Sequence, residues 1–119
     1  VDSIQKKINV VNNVVKELDL KNVKTSASRV EAVSEKYDFV VSRAVTNMKD
    51  FVSWVKFKIN KKSFNDLKNG ILYLKGGDLK EELKSFKKVK TFELSEIFNE
   101  DFFIQKKIVY LPIKYKIKN

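Results

Sequence analysis

Tyr37-Asp38-Phe39-Val40-Val41-Ser42-Arg43-Ala44 is the stretch whose reading decides the fold. Phe39 to Val41 is a short apolar run bounded by polar residues, as expected of a strand buried on both faces of a parallel sheet. In open α/β sheets ligands sit beyond the carboxyl ends of the strands. Ser42-Arg43 stands at that end, where a site would be built. The alternative is a buried strand that ends in a solvated arginine.

Upstream, Ile4, Ile8, Val11, Val15 and Leu18 recur at helical spacing, with Val10 and Val14 widening the stripe. A helix over about 4–18 is predicted, with Ser3 as N-cap, Asp2 near its positive end and the stripe in the core. Leu20–Thr25 reads as a short strand, and Ser26–Glu31 as a loop entering a helical turn. Arg29 and Arg43 both fall just after predicted strands. Downstream, Thr46-Asn47 caps a helix through Met48, Phe51, Val52, Trp54 and Val55. Lys56–Asn69 is basic and irregular, with Phe64 and Leu67 as expected anchors. Asn69-Gly70 is a turn signal. Gly70–Gly77 reads as another buried strand, and Asp78 caps a helix carrying Leu79, Leu83 and Phe86. Val89–Leu94 is a strand, Ile97–Phe103 a loop with apolar anchors, and Lys107–Ile117 a final strand. Pro112 argues for an edge or bulge there.

Helices and strands therefore alternate, which indicates a mostly parallel sheet with helices on both faces and an antiparallel pair at one edge. With 119 residues and 43% hydrophobic content the chain is one domain, or part of one. No apolar run reaches the ~18 residues of a membrane span, and no signal peptide is recognisable. The absence of cysteine excludes disulfides and thiolate chemistry and fits a reducing cytoplasm. The absence of histidine removes the commonest general base and metal ligand, and no metal-ligand spacing is present. No G-x-G-x-x-G or Walker loop occurs, and Gly76-Gly77 is too little to cradle a phosphate unaided. The net charge of +10 favours polyanions, though lysines spread over every segment also suit plain solubilising surface.

Four pieces then stand in order: Val1-Asp2-Ser3-Ile4-Gln5-Lys6-Lys7, Ser28-Arg29-Val30-Glu31, Tyr37-Asp38 through Ser42-Arg43-Ala44, and Tyr73-Leu74-Lys75-Gly76. Together they resemble the RsmG (GidB) family of bacterial 16S rRNA guanine-N7 methyltransferases, along the whole chain. The resemblance implies a Rossmann-like, class I S-adenosylmethionine (SAM)-dependent methyltransferase fold whose last strand runs antiparallel. It implies that residues 1–119 are the C-terminal portion of such a domain, without its first strand and glycine-rich SAM loop, and that this portion alone is inactive; exposed strand edges would leave it marginally stable or self-associated. By position, Asp2 resembles the acidic residue that holds the cofactor ribose, with Ser3 beside it. Val30 and Glu31 match the pair near the adenine. Arg43 matches the arginine lining the cofactor and target pocket, and Lys75 would face the same mouth, toward RNA phosphate or the target base. The implied cofactor is SAM and the implied partner 16S rRNA or the small ribosomal subunit, in the cytoplasm, with no membrane and no metal. Lys56, Lys58, Lys61, Lys62, Lys87 and Lys88 are candidates for phosphate contacts. Two other readings stay open: a non-catalytic basic RNA-binding α/β module, and a nucleotide- or phosphate-binding domain of different chemistry.

Overall fold

The computed structural model describes residues 1–43 and 46–113. Two compact units divide the chain, Val1–Glu35 and Lys36–Asn119.

The first unit is built on helix α1, Gln5–Glu17. Its N-cap is Ile4, not Ser3. Asp2 does the capping from two residues back, its Oδ1 accepting the Ile4 N–H at 2.8 Å. At the other end Leu20 N–H donates to Val15 O and Asp19 N–H to Lys16 O. With Asp19 at φ 51°, this is a Schellman close with aspartate where glycine is usual. The apolar stripe does not form a core within the described residues. Ile8 is the α1 residue that is buried, whereas Val10, Val14 and Leu18 are 61%, 48% and 64% exposed. The strand expected over 20–25 is likewise absent. Asp2 and Ala27 instead form an isolated parallel bridge, closed by Asp2 N–H to Ser26 O and Ser28 N–H to Asp2 O. Among the described residues no strand pairs with residues 20–25. A 3-10 turn, Val30–Ala32, follows.

The second unit contains a four-stranded mixed sheet. Its strands are β1 (Phe39–Arg43), β2 (Gly70–Gly76), β3 (Lys90–Glu93) and β4 (Lys106–Pro112), in the order β1-β2-β4-β3. β1 and β2 are parallel, while β4 runs antiparallel to both its neighbours. β4 therefore lies inside the described sheet, with β3 at one edge and β1 at the other. Pro112 is tolerated because β3 pairs with Lys107–Tyr110 only, so its missing N–H faces no partner on that side. It pairs with Gly70 on the other side, where a Cβ on Gly70 would stand 2.3 Å from the Leu111 carbonyl oxygen. Only glycine fits that approach. The expected extension of the last strand to Ile117 runs beyond the described residues.

Helix α2, Met48–Val55, covers one face of β2. The Asn47 side chain accepts the Asp50 N–H, as the Thr46-Asn47 signal predicts. Met48, Phe51 and Val55 turn inward, and Phe51 meets Tyr73 edge-on at 4.7 Å. Ile71, Tyr73 and Val109 are fully buried in this core. A short helix α3, Lys80–Leu83, follows β2, with Asp78 Oδ1 accepting the Lys80 N–H.

Two expectations about burial fail. Val41, on the face opposite the one that carries Tyr73, is 63% exposed, so β1 is not buried on both faces. Phe64 and Leu67 do not anchor the basic segment, being 76% and 42% exposed. The anchors are Ile59, fully buried, and Asn69.

Candidate functional site

The carboxyl ends of β1 and β2 carry Arg43 and Lys75. Arg43 is the last residue of β1, not the first after it, and is exposed. It pairs in register with Leu74, and Ser42 with Tyr73. Side chains alternate along a strand, so Lys75 shares the face of Tyr73 and Arg43 leaves by the opposite face. The two cations thus reach the same end of the sheet from different sides.

Lys75 is engaged within the protein. Its Nζ donates to Glu82 Oε1 at 2.5 Å and to the Thr46 carbonyl at 2.9 Å, and it lies 4.6 Å from the Tyr73 ring centre. Glu82 Oε1 also accepts the Met48 N–H at 2.7 Å. The Tyr73 hydroxyl donates to Thr46 O and accepts the Thr46 N–H. One cluster therefore ties together the strand end, the start of α2 and α3. Thr46 is its hub, on the chain that leaves Arg43. Glu82 carries no signal of its own in the sequence, where Thr46 reads as part of a helix cap and Tyr73 as part of a strand. The available signal was a lysine at a strand end with a glutamate a turn into the next helix.

In the first unit, Asp2 is half-buried and is fixed by three contacts: its backbone by Ser26 and Ser28, its Oδ1 by the Ile4 N–H. A carboxylate so held keeps lone pairs for a vicinal diol, so its chemistry fits the ribose of SAM. Ser3 is exposed beside it. Val30 opens the 3-10 turn and is half-buried, and Glu31 is exposed in that turn. Arg29 precedes the turn as its N-cap residue and follows no strand. Among the described residues no acidic cluster could hold a metal, and no helix is long and apolar enough to cross a membrane.

A second polar cluster lies at the opposite end of the sheet. The buried Asn69 amide nitrogen donates to Asn60 O, Lys62 O and Asp38 Oδ1, and the Asn60 side chain donates to the same Asp38 oxygen. Asn69 Oδ1 is buried without a partner. This cluster fixes the entries to β1 and β2.

Residues 1–108 match the family described as rRNA small subunit methyltransferase G. A protein of Flavobacterium johnsoniae named ribosomal RNA small subunit methyltransferase G is 60% identical over 116 residues, covering 98% of this chain and 56% of its own length. Proteins of the same name from Flavobacterium psychrophilum and Cytophaga hutchinsonii are 56% and 49% identical, over 98% and 94% of this chain and 56% and 55% of their own. The chain thus spans about half the length of the curated relatives it matches. The matched region holds β1 with its terminal Arg43, β2 with Lys75 and the Asp2 bracket, and the chain belongs to the rRNA small subunit methyltransferase G family.

Proposed function

We propose that the protein transfers a methyl group from SAM to N7 of a guanine in 16S rRNA. The observation that carries this reading is an exposed Arg43 at the carboxyl end of a parallel strand, inside the region of the family match. When bound, SAM supplies an electrophilic methyl group. Guanine N7 has an in-plane lone pair and no proton, so its methylation needs no general base. A chain without histidine or cysteine can serve that chemistry, with rate coming from positioning and electrostatics.

In this reading Asp2, with Ser3 beside it, holds the ribose hydroxyls. Val30, through its backbone N–H, and Glu31 hold the adenine. Arg43 orients the cofactor or the guanine through its planar fork, which suits O6 and phosphate oxygens. Lys75 acts as a positioning residue through Thr46, since its ammonium is already engaged by Glu82 and the Thr46 carbonyl. In this reading the protein works in the cytoplasm, where its ribosomal substrate is found.

The test is methyl transfer from labelled SAM to 16S rRNA and to assembled small subunits by the whole natural protein. Recovery of label as 7-methylguanosine after nuclease digestion is the expected outcome. Arg43→Ala should lower turnover by at least about 100-fold, the scale of one lost transition-state donor. Its melting should stay within about 0.5 kcal/mol of wild type, because the side chain is exposed. RNA binding without transfer to either substrate would instead support a non-catalytic RNA-binding module.

A further inference from the structure

The segment from Lys56 to Lys68 carries five lysines against one aspartate and presents two phenylalanines to solvent, Phe57 at 68% and Phe64 at 76% exposure. It is not a slack linker. Its first part is pinned to the entry of β1, with Tyr37 N–H donating to Lys58 O and Asn60 N–H to Tyr37 O. Its second part closes on itself through Asn69, whose backbone N–H donates to Ser63 Oγ and whose side chain holds the carbonyls of Asn60 and Lys62. Every residue from Lys61 to Lys68 is exposed above this buried staple. A fixed loop that spends its aromatic side chain on solvent is built for contact with something else.

We propose that this loop and the turn before it form a second RNA-contact surface, which takes an unpaired strand by stacking bases on Phe57 and Phe64 and pairing phosphates with Lys56, Lys61, Lys62 and Lys68. Aromatic faces interleaved with cations are what a single strand requires, one for the base and one for the backbone. The Lys56 ammonium lies over one face of the Phe57 ring, 4.9 Å from its centre, so a base would take the other face beside the cation. The surface lies at the amino ends of β1 and β2, whereas Arg43 lies at the carboxyl end. Tyr37 and Arg43 are separated by six residues of extended chain, about 20 Å at ~3.3 Å per residue. An RNA whose target guanine meets Arg43 can therefore be gripped several nucleotides away. The inference rests on RNA being the substrate, and it adds a place where that RNA is held.

The experiment uses the whole protein, a fluorescein-labelled 15-nucleotide oligouridine for anisotropy, and 16S rRNA for methyl transfer. Phe57→Ala and Phe64→Ala should each weaken oligonucleotide binding about 5- to 100-fold, the scale of one lost base stack. Phe64→Trp should restore it. Lys61→Gln with Lys62→Gln should flatten the dependence of log affinity on log salt by about 0.7 per phosphate lost. SAM affinity should be the same in all variants. Wild-type oligonucleotide affinity and wild-type KM for 16S rRNA in both phenylalanine variants would overturn the inference while leaving methyl transfer standing. Absent methyl transfer by wild type, with oligonucleotide binding that Phe64→Ala abolishes, would support the surface and overturn the proposed activity.

Discussion

Lys75 and Glu82 face each other at 13% and 24% side-chain exposure, so each is largely removed from water and dependent on the other. Lys75→Met deletes the ammonium, leaving Glu82 with the Met48 N–H and the Thr46 carbonyl with the Tyr73 hydroxyl. The loss should be about 1–3 kcal/mol by urea melting, below the full cost of breaking a buried pair because water still reaches both groups. Lys75→Met combined with Glu82→Gln should cost less than the sum of the two single changes, since the second removes a charge the first has stranded. Additive losses would show that the pair does not act as a unit. Tyr110 gives a second test at this scale. It is buried, its hydroxyl donates to Lys68 O at 2.7 Å, and burial holds the phenol above its ordinary pKa of 10.0. The fold favours the neutral phenol, so this contribution is complete below pH 10, where both states are neutral. It is lost as pH rises through the higher folded value, because the unfolded state releases its proton first. The stability difference between wild type and Tyr110→Phe should therefore shrink above pH 10. The difference cancels the lysines that titrate nearby, and no change with pH would refute a buried neutral phenol.

At the scale of elements, α2 and β2 were legible because local and tertiary signals agree. Asn47 caps where its type predicts, and Ile71 and Tyr73 fall on the face that α2 covers. The 20–25 strand and the α1 stripe were misread for a shared reason: an apolar pattern states what a segment can bury, not whether a neighbour is there to bury it. The same holds for Phe64, whose residue type suggests an anchor while the loop is anchored by Asn69, a polar residue that composition would place in a turn. The strand-end position of Arg43 was readable from the apolar run before it. Its departure from the face of Lys75 was not, because that depends on a register between β1 and β2 that no local pattern states. The Schellman close of α1 yields a prediction of its own. Asp19 holds φ 51°, a left-handed conformation that costs a residue with a Cβ and suits glycine. The ion pair it makes with Lys21 is fully solvent-facing, at 82% and 80% exposure, and contributes little. Asp19→Gly should therefore stabilise the first unit, by about 0.5–1 kcal/mol in thermal melting. A loss of stability would mean that the aspartate is held by more than its place at the helix end.

For the whole molecule, two surface properties respond to salt in opposite directions. The net charge of +10 attracts polyanions and also keeps copies of the chain apart. Against that repulsion stand apolar surfaces that invite association: Val10, Val14 and Leu18 on α1, and Val41 on β1, which has a described neighbour on one side alone. Raising salt from 0.1 M to 1 M shortens the screening length from about 10 Å to about 3 Å, which removes the repulsion but leaves the hydrophobic term in place. Self-association of the 119-residue chain should then increase with salt in sedimentation velocity. RNA affinity over the same series should fall, with a slope of about −0.7 per phosphate contacted on a single strand. The opposition separates the two uses of the surface. RNA affinity that rises with salt alongside the mass would mean that RNA is taken up by apolar assemblies and not by the lysines. A mass unchanged by salt would mean that the exposed α1 stripe and the β1 edge do not associate.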